Sequence, residues 1–530
     1  MRNWFRSLLG RLFAPQGIQT RTYAAARNSR LSTFGTISNS SADSELSMSL
    51  TALRTRSRKL MRDSPYAKRA RTIVVNNVVG SGVGLQSQVY NTRGDLHLRI
   101  NEDIEEAWRQ WSRADSCHTG GTLHFADLER MLMAQVFDAG EVIIRKHRKA
   151  FGNSRIPLSL ELIEAERLAD EFSHPQKGPA MPNADVRLGV EVDKFGRPAA
   201  YWIRERHPGE LRVDADSGMR LERVPASDII HLRVIDRWPM TRGEPWLHSV
   251  IRKLDDMDEY SGSELTAARM AANFFATLES DSSDSLTTTT DPATGQREMQ
   301  IEPGVIEGLA PGEKLNFHAP NRPNSALDPF LRYMLREVAA GVGVSYESLS
   351  RDYSQSNYSS SRLALLDDRD LWRVLQQWWA RSFRDPLHAE WLQAAVLSRS
   401  IASIPVEAYA LDMPRYEAVR WKFRGWSWVD PTKEVDAYKE AVKAGFTTVS
   451  AVIAQTAGGV DIEDVIAERR RELDMLVESD IEVDTTVPEP IDPAAQVASA
   501  LAQPAADNAD AQDNADDPKP ARVLKMRTHA

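Results

Sequence analysis

The stretch GVSYESLSRDYSQSNYSSSRLALLDD, residues 343 to 368, sets a hydrophilic interval between two apolar ones. From Tyr353 to Ser361 every side chain can hydrogen-bond, and none is charged or aliphatic. Upstream, ALDPFLRYMLREVAAGVGV (326–344) reads as a helix, with Asn324, Ser325 and Asp328 as its starting signals. Downstream of Arg362, the residues Leu366, Leu371, Leu375, Trp378, Trp379, Phe383, Leu387 and Trp391 hold helical spacing. A tryptophan stripe of this kind is more often core than cofactor box. The expectation is therefore two packed helices joined by a loop that water must reach.

Working outward, GEPWLHSVIRKLDDMDEYSGSELTAARMAANFFATLES reads as one long helix. Pro245 suits a first helical position, and Leu247, Val250, Ile251, Leu254 and Met257 recur as one buried face requires. Helicity to about residue 279 gives a rod near 50 Å long at ~1.5 Å per residue. Residues 280 to 325 break the pattern with SDSSDSLTTTTDPATGQREMQ. Between about 140 and 236 short β-branched runs dominate, and Asp193, Gly196 and Pro198 separate two of them as a hairpin would. The carboxylates of LIEAERLADE (162–171) read as ordinary surface charge, since no histidine partner or defined pocket accompanies them. Toward the C-terminus DPTKEVDAYKEAVKAGFTTVSAVIAQTAGGVDIEDVIAERRRELDML reads as two or three helices. Beyond about 480 a Pro, Ala, Asp and Asn bias leaves too little apolar surface to offset chain entropy, so the tail is expected to be disordered.

Composition narrows the function. With 66 Lys and Arg against 75 Asp and Glu the net charge is -9, which argues against a freely adhesive nucleic-acid binder. Residues 51 to 71 are the exception, with eight basic side chains and one acidic. They read either as a solvated helical face or as a phosphate-facing or subunit-facing patch. The glycines of GSGVG (80–84) lack the spacing of a phosphate-cradling loop, and no G-x-x-x-x-G-K-[ST] occurs. They read as a turn ending a helix. The single cysteine, Cys117, excludes an intrachain disulfide and a Cys-rich zinc site, and reads as packed. No run approaches the ~20 apolar residues that span a bilayer. The start, MRNWFRSLLGRLFAPQ, places Trp4, Phe5, Leu8, Leu9, Leu12 and Phe13 near one helical face with Arg2, Arg6 and Arg11 interleaved. A docking arm or removable leader is the preferred reading over a membrane anchor.

Taken in order, RTYAAARNSR, SPYAKRARTIVVNNVVGSGVGLQ, SCHTGGTLHFADLERMLMAQVFDAGEVIIR, GVEVDKFGRPAAYWIRERHPGE, the opening stretch and DPTKEVDAYKEAVKAGFTT resemble the portal proteins of tailed bacteriophages, lambda-type family. The specificity lies in their order and extent, which cover nearly all of the chain before the tail. The resemblance implies an α+β portal fold: a mixed α/β wing, long stem helices, a small clip and a helical crown, assembling as a ring. Mapped here, it implies an N-terminal arm (1–45), the wing (46–245), a first stem helix (246–279) and the clip (280–325). A second stem helix (326–344), a tunnel loop (345–361), a long helix with wing return (362–430), a crown (431–478) and a disordered tail (479–530) complete the order.

The implied partners are copies of the same chain in a dodecameric ring, terminase, major capsid and scaffold proteins, head-completion or adaptor proteins, and double-stranded DNA passing non-specifically. The implied location is the virion at a capsid vertex, after assembly in the host cytoplasm. No catalytic residue, cofactor, metal or membrane contact is expected. In this frame Tyr353, Ser354, Ser356, Asn357, Tyr358 and Arg362 fall in the tunnel-loop position, where hydroxyls touch DNA without gripping it. Each Lys or Arg fixed on a phosphate adds about 0.9 to the salt slope of DNA affinity, so a basic loop repeated around a ring would act as an adhesive collar. The competing readings are a capsid-associated DNA-binding protein that forms no ring, and a packaging nuclease.

Overall fold

The computed structural model describes residues 39–91, 93–171, 185–210, 220–273, 276–280, 289–290, 297–298, 313–317, 326–426, 431–456 and 462–478. The readings of the N-terminal arm up to residue 38, the tail beyond 478, Asn324 and Ser325, and most of 280–325 lie outside the described residues. The chain divides into two compact units, Met1–Ile462 and Glu463–Ala530.

Helix α1 (Ala42–Asp63) is opened by Ser41, whose hydroxyl accepts the N–H of Ser44, with Asp43 and Glu45 in the first turn where a helix dipole favours anions. Pro65 starts α2 (Pro65–Val78), which buries Ala67, Ala70, Ile73, Val74 and Val78 as one stripe. Gly80 and Gly82, both at positive φ, turn the chain into β1 (Gly84–Ser87), as the GSGVG reading expects. Helices α3 (Leu98–Trp111) and α4 (Phe125–Ala139) follow. Cys117 is buried between the carbonyls of Ser112 and Leu123, 3.5 and 3.6 Å from its sulfur. Helix α4 ends at Gly140, φ +86°, where a Cβ would stand 2.2 Å from the carbonyl carbon of Glu244; the site admits only glycine.

Strand β2 (Glu141–His147) is central in an antiparallel sheet between β3 (Ser159–Ile163) and β8 (Ile229–Arg233). A four-stranded antiparallel meander is built of β4 (Asp185–Arg187), β5 (Val190–Val192), β6 (Pro198–Arg204) and β7 (Leu221–Pro225). The expected hairpin is β5–β6, and the Asp193 carboxylate shapes its turn by accepting the N–H groups of Phe195 and Arg197 at 2.8 and 2.9 Å. Ile143, Ile163, Leu168, Val190, Tyr201 and Val224 form one core joining the two sheets.

The long helix is shorter than its periodicity predicts. Helix α5 runs Ile251–Asn273, 23 residues and roughly 34 Å, not 246 to 279. Pro245 opens a pair of turns instead, with His248 N–H donating to Pro245 O and Val250 N–H to Leu247 O. At the far end β9 (Ala276–Ser280) pairs in antiparallel register with β12 (Glu313–Phe317), a long-range partner that helical periodicity does not reveal. Between them β10 (Thr289–Thr290) and β11 (Arg297–Glu298) form a two-residue ladder.

Helix α6 (Leu327–Val342) meets the expected helix closely in extent. It packs against the α5 region through Gly341, where a Cβ would lie 2.3 Å from a Val250 methyl, and Tyr260 meets Phe330 edge-on at 5.0 Å. Helix α7 (Tyr358–Trp379) passes through a π-turn (Ala380–Arg384) into α8 (Asp385–Leu397). From the expected stripe Leu375, Trp379, Phe383, Leu387 and Trp391 are buried, whereas Leu366 is exposed. The π-turn inserts an extra residue and sets Phe383 and Arg384 both into the core. There the Arg384 guanidinium lies over Trp421, Trp108 and Phe125 at 4.2, 5.0 and 5.1 Å and donates to Val83 O at 2.5 Å. Strand β13 (Val419–Lys422) returns antiparallel onto β1. Helices α9 (Pro431–Lys443) and α10 (Val449–Thr456) close the first unit, and α11 (Ile462–Glu478) supplies the described part of the second. Among the described residues no helix is long and apolar enough to cross a membrane.

Neither reading of the basic segment holds unaltered. Arg54 is buried, Arg58 pairs with Glu166 at 2.8 Å and Glu164 at 3.6 Å, Lys59 with Asp255 at 3.2 Å and Arg71 with Asp138 at 2.9 Å. The carboxylates of 162–171, read as surface charge, are largely the partners of these cations. Asp170 joins Arg54 and Arg242 in a cluster whose centre is the fully buried Glu141. Glu141 accepts from Arg54 Nη2 (2.5 Å), Arg242 Nε (2.6 Å), Gly243 N–H (2.7 Å) and His231 Nε2 (2.9 Å). Arg233 donates to the other ring nitrogen of His231 at 2.8 Å, which makes the imidazole the neutral Nε2–H tautomer.

Candidate functional site

The interval between α6 and α7 is built from its two ends. Helix α6 stops at Gly343, φ +82°, whose N–H donates to Ala339 O at 2.9 Å. Ser345 then leads into a short helix, Tyr346–Ser350. The Ser345 N–H and hydroxyl donate to the two oxygens of Asp368 on α7 at 2.8 and 2.7 Å, and the Ser348 hydroxyl donates to the same carboxylate at 2.9 Å. Burial pushes the Asp368 carboxyl up, and the serine hydrogen bonds act against that. The root of the interval is therefore pinned to α7 by a buried acid.

Arg351, at φ +58°, reverses the chain. Asp352 next accepts from Tyr346 Oη at 2.9 Å and Ser354 N–H at 3.0 Å, with Arg332 Nε of α6 at 3.5 Å. The Ser354 hydroxyl and N–H, together with the Tyr346 hydroxyl, hold its carboxyl down at about 2. Ser356 folds its N–H and hydroxyl back onto Tyr353 O at 3.2 and 3.1 Å, and Gln355 accepts from Arg336 of α6 at 3.2 Å. Asn357 closes the turn as the N-cap of α7. Its Oδ1 accepts the Ser360 N–H at 2.8 Å while Ser360 Oγ accepts the Asn357 N–H at 3.1 Å, a reciprocal capping box.

This geometry corrects the expected loop. Residues 345 to 361 are not one irregular segment; the non-helical exposed turn is 351–357, flanked by helix on both sides. Tyr358 and Ser359 to Ser361 belong to the first turn of α7. A serine run reads as loop because Ser competes with the backbone in helix interiors, but the Asn357–Ser360 box overrides that preference. Of the six residues singled out, Tyr353 (58% exposed), Tyr358 (59%) and Ser354 face outward. The Ser356 hydroxyl and the Asn357 Oδ1 are engaged by the turn and the cap, and Asn357 is itself exposed. Arg362 is half-buried on α7 and held by an interaction of its own.

Arg351 is an exposed cation within the turn itself, the fold brings Arg336 to the exposed surface beside it, and Arg69 of α2 donates to Ser348 O at 3.2 Å. Asp352, Asp368, Arg332 and Arg336, which hold the turn, do not stand out in the sequence. Their signal, an acid at each end of a serine-rich stretch and arginines one helical turn apart, was present but had no spatial meaning before the fold.

The arrangement presents phenols and hydroxyls on a rigid helical mount. It is an exposed, internally hydrogen-bonded surface carried by packed helices. Among the described residues no group of three His, Cys, Asp or Glu could hold a metal ion.

Residues 28–376 match the model of the family described as phage portal protein, lambda family, and the chain belongs to that family. It is 27% identical over 460 residues to the probable portal protein of Halomonas phage phiHAP-1, covering 84% of this chain and 85% of that one. It is 23% identical over 462 residues to portal protein B of Escherichia phage lambda, covering 82% and 85%. Among solved structures it is similar to a chain of the neck of an empty GTA particle computed with C6 symmetry, at 14% identity and a TM-score of 0.41, covering 75% of this chain and 92% of that one.

Proposed function

We propose that this portal protein assembles with copies of itself into a dodecameric ring at one vertex of the phage head, and that double-stranded DNA passes through the ring against the turn 351–357. The observation that carries the reading is the turn itself. Tyr353, Ser354 and Tyr358 are exposed and uncharged, yet the backbone that bears them is fixed by Asp352, Asn357 and Asp368. A surface that DNA slides past must be wet, stiff and weakly attractive, and these residues meet all three conditions.

In this reading α5 and α6 serve as stem helices, 431–478 as the crown, and 280–325 as the clip. Terminase docks on the clip during packaging, and head-completion or adaptor proteins replace it afterwards; loops held on rigid scaffolds commonly carry such contacts. Major capsid and scaffold proteins are its neighbours while the head assembles.

The test uses substitutions that leave the helix cap in place. Tyr353→Lys with Ser354→Lys and Tyr358→Lys should assemble normally but make packaging strongly salt-dependent, since each new phosphate contact adds about 0.9 to the salt slope. Packaging at the wild-type rate across salt concentrations would remove the channel role from this turn. For the clip, deleting 284–296 should leave rings intact and abolish terminase docking; normal docking would count against it. Negative-stain images showing only monomers would favour the ring-less capsid-associated reading.

A further inference from the structure

The turn is fastened to two different helices, and the two exposed tyrosines fall on opposite sides of the division. Arg332 and Arg336, one helical turn apart on α6, reach Asp352 and Gln355 at 3.5 and 3.2 Å. Arg332 also holds Asp328 on its own helix at 3.0 Å, and the Arg336 guanidinium lies over the Tyr346 ring at 5.4 Å. Tyr353 sits between the two gripped positions, and its carbonyl is the acceptor that closes the Tyr353–Ser356 turn. Tyr358, by contrast, is the first residue of α7, behind the Asn357 cap. Asp368, which pins Ser345 and Ser348, also belongs to α7.

We infer that Asp352 and Gln355 are positioning residues that couple Tyr353 to α6, while Tyr358 is carried by α7, so that a relative shift of the two helices changes the spacing of the two phenols. If the turn meets DNA as proposed above, that spacing sets how the channel lining bears on it. Asp352 is suited to the task. It is the turn's only carboxylate, and it gathers donors from the turn (Ser354), from the short helix (Tyr346) and from α6 (Arg332). Loss of its charge removes the ionic link to Arg332 and leaves Arg336–Gln355 as the turn's one remaining tie to α6, with the Asn357 cap and the Asp368 anchor in place.

The chain's single cysteine makes the test direct. Cys117 is buried and its thiol is pushed up to about 12, so a cysteine introduced at an exposed position is the one thiol that reacts near neutral pH. Full-length protein carrying Tyr353→Cys or Tyr358→Cys is spin-labelled, each in the wild-type, Asp352→Asn and Asp352→Glu backgrounds. Asp352→Asn should raise label mobility several-fold at 353 and leave 358 unchanged, and Asp352→Glu should restore the wild-type spectrum at 353. An unchanged spectrum at 353, or equal mobilisation at both positions, would overturn the inference. Should Asp352→Asn fail to fold, the exposed Gln355→Ala provides the same comparison. Retention of DNA by heads built with unlabelled Asp352→Asn separates the two claims. A mobile 353 label with wild-type retention leaves the coupling standing and sinks the channel reading, whereas an immobile label sinks the coupling whatever the DNA does.

Discussion

Glu141→Ala removes the acceptor of four donors at once: Arg54, Arg242, His231 and the Gly243 N–H. Arg54 and Arg242 are then left as two buried guanidinium groups facing each other, with Asp170, itself partly exposed, as their remaining carboxylate. Breaking a buried ion pair from one side costs about 3–5 kcal/mol, and here Asp170 and the carbonyls of Ala139, Ala165 and Leu188 compensate the two guanidinium groups only in part. Against a total stability of about 5–15 kcal/mol for a domain this is a large share. The consequence is directional as well. The cluster ties α1, β2 and β8 to residues 240–243, which lead into α5, so amides of 240–250 should lose hydrogen-exchange protection before those of the tryptophan core. Urea unfolding followed by tryptophan fluorescence gives the magnitude, with Glu141→Gln as the near-isosteric control that should lose less. A loss below about 1 kcal/mol for Glu141→Ala, with an unchanged denaturant slope, would show that water and the remaining acceptors satisfy the guanidinium groups and that Glu141 is not the centre of the cluster's stability.

Asn357→Ala should cost about 1 kcal/mol through loss of the α7 cap, seen as faster amide exchange at Tyr358 to Ser361, while Asn357→Asp should largely preserve it. His231 is held neutral by burial and by Arg233, with its pKa lowered to about 4 from 6.5. The unfolded chain therefore takes up a proton as pH falls below about 6.5 while the folded one does not until about 4, so stability should decline across that window on acidification. His231→Gln should flatten the decline, and a stability–pH profile of this variant parallel to wild type would contradict the assignment.

Local signals carried much of the fold. Strong apolar periodicity located α6, and turn chemistry at Asp193 and Gly196 located the β5–β6 hairpin, because both depend on neighbours in sequence. The start of α5 was misplaced because Pro245, Leu247 and Val250 have helical spacing yet lie in turns anchored by Trp246, which donates to Val342 O at 2.9 Å. The ionic cluster was illegible for a different reason. Glu141 opens a β-strand in EVIIRKH, and only the tertiary fold brings Arg54 and Arg242 to it. At the candidate site the exposed phenols were legible from composition. The division of the turn between α6 and α7 was not, since it rests on Arg332 and Arg336 meeting residues some 20 positions away.

What Tyr353 touches in the assembled head decides whether the turn lines the channel. A photo-crosslinking amino acid at position 353, activated in heads with DNA part-way packaged, should join the protein to DNA at many positions along the genome, without sequence preference and with little dependence on salt. Crosslinks that run only to neighbouring protein subunits would place the turn away from the channel and remove its role in DNA passage.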